Sequence, residues 1–235
     1  MRRSFHAPAA TSVLIAGVLL TSGCQGQAHV THGPTQSASG SAATTVAAAP
    51  VPTGPVTVAQ LVAALPAAPA GSKPWAGTSG LSGPLTRTQY VTAEFGAKDG
   101  AKLLKAEEQL GLTFGAQNGW RQQDKVMVGV RLADYKDRTG AKTAYLEIQS
   151  SAEEDDAGDN DFTLPGAADS FGIGDPTPDQ AGNTVTNLFA LAGKELLRVT
   201  VESPAGVDQA TAKAVALKAY ANLCKLSDCT AGSVS

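Results

Sequence analysis

The sequence predicts an α+β fold: an antiparallel sheet from two β-hairpins, each followed by a helix packed on one sheet face. Three observations carry this. Val126, Val128, Val130 and Leu132 alternate with Met127, Gly129 and Arg131, and Leu197, Val199 and Val201 alternate with Arg198 and Thr200. That is the period of a strand with one apolar face. A turn-forming pair precedes each run, Asp124-Lys125 and Gly193-Lys194, as a hairpin requires. A helical stretch follows each, Gly140 to Ser150 and Val207 to Cys224. Strand, turn, strand, loop and helix thus occur twice, offset by about seventy residues between Lys125 and Lys194. The halves share little residue identity, so this is a pseudo-repeat and not a solenoid.

Taken in order, Thr57-Val58-Ala59-Gln60 fits a capping box, Thr57 at the N-cap and Gln60 three residues on. Val58, Leu61, Val62 and Leu65 then mark one helix face, and Pro66 stops it. Residues 66–84 are rich in Pro, Gly and Ser and read as irregular, with Trp75 packing the segment onto the core. Asp99 to Leu110 reads as a helix stopped by Gly111. Leu112-Thr113-Phe114 follows, and Asn118-Gly119 reads as a turn. Trp120 belongs to the first arm of the hairpin, and Ala133 to Thr139 reads as a loop. In the second half, Thr184 to Leu191 is a strand and Ser203 to Gly206 breaks the next one. Val207, Ala210, Ala214, Leu217, Ala221 and Cys224 mark the expected buried face of the last helix.

The chain has 235 residues, 18 Lys and Arg against 21 Asp and Glu, with 17% charged and 5% aromatic residues. This excludes a basic nucleic-acid-binding domain and a multi-span membrane protein. Residues 1–23 read as an export signal. Arg2 and Arg3 form its positive end, and Val13 to Leu20 is an apolar run too short to span a bilayer. Leu20-Thr21-Ser22-Gly23-Cys24 resembles a bacterial lipobox, in which the Cys is diacylated and becomes the mature N-terminus. The common form has Leu three residues before the Cys, where Thr21 stands here. An ordinary secretory signal with unmodified Cys24 is the competing reading. Without residues 1–23 the chain carries 16 basic and 21 acidic residues. Anionic lipid repels such a chain, so its membrane partner would be held by acyl chains on Cys24, at about 0.8 kcal/mol per buried CH₂.

Residues 24–56 read as the lipidated Cys and a disordered Ala/Thr/Ser/Pro tether, without charge or periodicity. As a flexible coil it reaches about 30 Å, and at most ~100 Å if stiffened by Pro. Residues 57–235 then form a single α+β extracytoplasmic domain. His6, His29 and His32 all precede it. His-dependent catalysis and His-ligated zinc are therefore excluded from the domain. No unperturbed side chain there titrates between pH 6 and 8, and stability is expected to change little across that window unless a buried carboxylate has a raised pKa. Cys224 and Cys229 are its only thiols. Outside the cytoplasm they are expected to form a disulfide. The small loop it closes implies about 2 kcal/mol.

Site chemistry is sparse. Glu153, Glu154, Asp155, Asp156, Asp159 and Asp161 cluster, but the EF-hand pattern fails at Ala157 and Leu164, so a solvated acidic loop is expected and no metal is assigned. Glu147 and Glu202 are candidates for a carboxylate pair, though nothing in the sequence selects them. No Gly-rich phosphate loop is present and no cofactor is implied. No catalytic residue is assigned.

Gly119-Trp120-Arg121, the strand Val126 to Leu132, Ala133-Asp134-Tyr135, Thr139-Gly140-Ala141, Leu164-Pro165-Gly166-Ala167, the Gly193-Lys194 turn and the closing Ala-rich helix form a further pattern. In these the chain resembles actinobacterial exported lipoproteins of unknown function and extracellular sensor domains of membrane Ser/Thr kinases. The likeness covers most of residues 90–225. Those sensor domains usually carry Cys pairs elsewhere, which Cys224 and Cys229 do not match. The resemblance implies an α+β extracytoplasmic fold without established catalysis and carries over no functional residue. The expected function is a lipid-anchored, non-catalytic envelope module that binds a small molecule, lipid or envelope protein. The alternative is a His-independent envelope hydrolase using carboxylates or a Ser.

Overall fold

The structure, a computed structural model, describes residues 54–75, 82–98, 100–122, 125–155 and 161–229. Cys24, the export signal and most of the tether lie outside the described residues, as do Asp156 and Asp159 of the acidic cluster. In chain order the elements are α1 (Val58–Ala64), β1 (Lys73–Pro74), β2 (Gly83–Leu85), α2 (Arg87–Phe95), α3 (Gly100–Gln109) and β3 (Leu112–Arg121). β4 (Met127–Tyr135), α4 (Arg138–Asp155), β5 (Ser170–Asp175), β6 (Thr184–Ala192), β7 (Glu195–Ser203) and α5 (Gln209–Leu223) follow.

One seven-stranded antiparallel sheet runs β1-β3-β4-β7-β6-β5, with β2 also pairing β3. The two expected hairpins are β3–β4 and β6–β7, joined through β4 and β7. Because side chains alternate along a strand, each strand serves both faces. Val128, Val130 and Leu132 of β4 and Leu197, Val199 and Val201 of β7 are fully buried on one face. There α1 and α5 cover them through Leu61, Ala212, Ala216, Ala219 and Leu223. Ala133, Tyr135, Leu196, Phe189 and Leu191 point to the other face, under α2, α3 and α4. Helices thus cover both faces, and α4 and α5, which follow the two hairpins, lie on opposite sides.

Several elements differ from the expectation. Asn118-Gly119 is no turn; β3 runs straight through it to Arg121. The reversal comes at residues 122–126, where Gln122 N–H donates to Val126 O at 2.8 Å and Lys125 takes φ 71°. Strand β4 continues to Tyr135 where a loop was expected, and α4 extends to Asp155, so Glu153 to Asp155 are helical and not loop. The face of α5 is reversed. Ala210, Ala214, Leu217 and Ala221 are exposed, whereas Ala212, Val215, Ala216, Ala219 and Leu223 are buried. The helix is Ala-rich all round, so its apolar pattern carries no direction. The single large Leu217 stands 42% exposed.

Helix α2 and strand β5 were not expected. Thr86 caps α2 with Gln89, the same capping box that Thr57 and Gln60 make at α1. In β5, Gly172 and Gly174 dilute the alternation.

Candidate functional site

Helices α2, α3 and α4 cover only half of their sheet face. The other half is floored by the same strands but carries Gln117, Arg131, Arg198, Thr200 and Glu202, and it is recessed into a cavity of about 250 Å³. Trp75 closes one wall and Glu94 of α2 another.

Arg131 of β4 and Arg198 of β7 are directly opposed in the strand register. Like charges so placed repel. Glu94 bridges them: its Oε2 accepts from Arg131 Nη1 and its Oε1 from Arg198 Nη1, each at 2.5 Å. The Glu94 side chain is 3% exposed. Burial alone would raise its pKa. The two guanidiniums, Arg198 more than Arg131, and their hydrogen bonds outweigh that and hold it below its ordinary value. The flanking strands fix each arginine further. Arg131 Nε donates to Gln117 Oε1 at 2.9 Å. Arg198 donates to Asn187 Oδ1 from Nε at 3.3 Å and from Nη2 at 3.1 Å, and its guanidinium lies 5.2 Å from the Phe189 ring. Thr200 Oγ1 also donates to Asn187 Oδ1, at 2.8 Å.

A guanidinium has five N–H donors. Glu94 and Gln117 take two from Arg131, whose Nη2 has no partner among the described residues. Two arginines against one carboxylate leave this end of the cavity with one net positive charge.

Glu202 lies at the other end, four residues along β7 and on the same face. Its neighbours in register are Met127 and Val185, neither able to pair with it. It makes no hydrogen bond or ion pair among the described residues. Burial, with Asp179 adding to it, raises its pKa.

Trp75 shapes the remaining wall. Its N–H donates to Gly119 O at 3.0 Å. Gly119 and Gly129 are paired across β3 and β4. A Cβ on Gly119 would lie 2.1 Å from Trp75 O, and one on Gly129 3.4 Å from the indole. Trp75 therefore sits in a glycine trough on the sheet, where it lines the cavity and does not join the core the sequence reading placed it on.

Other ionisable groups are buried away from the cavity. Glu107 of α3 accepts from Tyr135 Oη at 2.8 Å, and burial pushes its pKa to about 7. Glu195 is wholly buried, and burial likewise pushes it to about 7 against the opposing pull of Ser227 and Lys194. Glu107 and Glu195 are thus buried carboxylates with raised pKa values, the exception to a flat pH dependence that the missing histidines would otherwise give. Asp134 accepts hydrogen bonds from Thr113 Oγ1 and Lys194 Nζ.

The carboxylates nominated from sequence do not meet. Glu147 is exposed on α4, where its charge acts on Glu107, while Glu202 lines the cavity. The cavity's second carboxylate, Glu94, has both oxygens engaged by guanidiniums, and no Ser is among the described residues that line it. Among the described residues no His, Cys, Asp and Glu cluster could hold a metal. The sulfurs of Cys224 and Cys229 stand at bonding distance with Cα atoms 5.3 Å apart, inside the disulfide range. They close a loop that sets Ser227 against the Gly193 turn, which has φ 64°. Asp161 is exposed. No described helix is long and apolar enough to cross a membrane.

Sequence reasoning missed the arginine pair. Arg131 and Arg198 were read only as polar positions in apolar strands. Each is a charged residue in the middle of the second strand of its hairpin, which was the available signal.

No protein-family profile and no curated protein matches the chain. Among solved structures it is similar to the extracellular domain of PknH from Mycobacterium tuberculosis. The TM-score is 0.48 and the identity 15%, over 73% of this chain and 98% of that one. At that level the likeness transfers no ligand, residue role or activity.

Proposed function

We propose that residues 57–235 are a non-catalytic module that binds a small molecule in the cavity on the open half of the sheet. In this reading the module works outside the cytoplasm, on a tether of residues 24–56 anchored by acyl chains on Cys24. The observation that carries the binding reading is the preformed recess. Its two arginines stand on neighbouring strands and are held in place by Glu94, Gln117 and Asn187. Fixed polar groups in a concave site are what ligand recognition needs. At about 250 Å³ the cavity falls just below the ~300–1,000 Å³ of drug-sized sites, which suits a small metabolite.

The test is a thermal-shift screen of the whole chain against anionic, cationic, zwitterionic and neutral small molecules, repeated with Val185→Trp. Val185 lines the cavity, and an indole there fills it. A ligand that raises Tm in the parent and loses its effect in Val185→Trp supports the reading. Ligands that act equally on both, or none at all, overturn it. The anchor is tested separately by mass spectrometry of the membrane fraction. An acylated N-terminus at Cys24 is expected, with release of the Cys24→Ala protein into the medium. An unchanged distribution would remove the anchor.

A further inference from the structure

Charge along the cavity identifies the chemistry of its occupant. One end holds Arg131 and Arg198 with a single shared carboxylate, and Arg131 Nη2 is unused among the described residues. The planar guanidinium fork matches a carboxylate better than a spherical anion. The other end holds Glu202, flanked by Met127 and Val185 and without a cationic partner. A purely anionic ligand would satisfy the arginines but press against Glu202. A purely cationic one would do the reverse. A neutral one would leave Glu202 and the one excess positive charge at the arginine end without a counter-charge, which is unfavourable for withdrawn charge. Only a ligand carrying both charges meets every group.

Resting on the binding reading above, we propose that the cavity takes a small zwitterion, its carboxylate on Arg131 and Arg198 and its ammonium on Glu202. The spacing sets its length. Four residues of strand separate Arg198 from Glu202, about 13 Å between Cα atoms at roughly 3.3 Å per residue. A ligand that meets both Arg198 and Glu202 across that span must carry its charges several bonds apart. An α-amino acid, with its charges on one carbon, is too short. An ω-amino acid or a short peptide with free termini is the class that fits. Desolvation of Glu202, which raises its pKa, is the penalty an incoming ammonium removes.

The experiment measures binding to the whole chain at low ionic strength. The probes are 6-aminohexanoate, hexanoate and hexylamine, with glycine as the short zwitterion. The expected result is that 6-aminohexanoate binds about tenfold more tightly than hexanoate, the equivalent of one charge-assisted hydrogen bond. Glycine and hexylamine should bind more weakly still. In Glu202→Gln the preference for 6-aminohexanoate over hexanoate should fall to about one. Glu202 pairs with nothing among the described residues, so this variant keeps its structure. Equal binding of 6-aminohexanoate and hexanoate by the parent overturns the zwitterion. So does a preference that survives Glu202→Gln. If none of these probes binds while a neutral compound shifts Tm only with the cavity open, the zwitterion falls and the binding module stands. If nothing binds in either experiment, both fall.

Discussion

Glu94 and Glu107 sit on successive helices over the same sheet face, and both side chains are almost wholly withdrawn from solvent. Their ionisation moves in opposite directions. Glu94 meets two guanidiniums and stays charged well into acid. Burial raises the pKa of Glu107 to about 7, with Glu147 and Glu94 adding to the rise and the Tyr135 hydroxyl opposing it only in part. Burial is common to both, so it is not what distinguishes them. The sign of the neighbours decides. That difference also divides the face itself: strand positions under α3 and α4 carry Leu, Tyr and Phe, while those beside Glu94 carry the arginines and stay open.

The largest effect should come from breaking the charged member of this comparison. Glu94→Gln leaves two directly opposed arginines with no counter-charge. Removing one partner of a buried ion pair costs about 4 kcal/mol, read as the shift in denaturant unfolding. A loss below about 1 kcal/mol would show that solvent in the cavity, and not Glu94, holds the arginines apart.

The neutral-pH member is next. A carboxyl whose pKa is near 7 when folded and about 4.3 when unfolded keeps its proton longer in the native state. Stability is then greatest below the unfolded pKa and falls as pH rises toward the folded one. For Glu107 that fall is roughly 3 kcal/mol between pH 4 and 7, with Glu195 adding a fall of the same sign. Glu94 works the other way: its stabilisation is present above its unfolded pKa and is lost as pH falls through the lower folded value. Unfolding of Glu107→Gln at pH 5, 6 and 7 should show a shallower decline than the parent. Identical slopes would mean that Glu107 stays ionised in the folded chain.

The smallest effect sharpens the comparison by moving α2 without touching its carboxylate. Thr86→Ala removes the N-cap of the helix that delivers Glu94, at about 1 kcal/mol. Thr57→Ala does the same at α1, which bears no charge to the cavity. Equal losses in stability, with weakened cavity binding only for Thr86→Ala, would show that the helix positions the clamp.

The hairpins, their turns and the following helices were legible because alternation over Val126 to Leu132 and Leu197 to Val201 is strong and local. Helix α2 was legible in principle: Thr86-x-x-Gln89 repeats Thr57-x-x-Gln60. Tyr90 and Val91 are its buried residues, and adjacent positions do not make a helical stripe. Asn118-Gly119 misled because glycine serves two purposes, and only the partner strand shows which. The cavity lay further out of reach. Arg131, Arg198 and Glu94 come from three distant stretches, and strand register alone brings the arginines opposite each other. Glu202 could be named as an acid, but its lack of a partner is a fact about Met127 and Val185.

Gly119 lacks the positive φ that would make glycine a conformational necessity. What it supplies is clearance, since Trp75 O stands where a methyl group would go. The height of the cavity wall is therefore written in the sheet and not in the segment that forms the wall. An alanine at position 119 would lift Trp75 away from the strands and widen the recess without altering its charged groups. The size of the recess and its charge are thus set at separate positions, so either could drift in sequence while the other stays fixed.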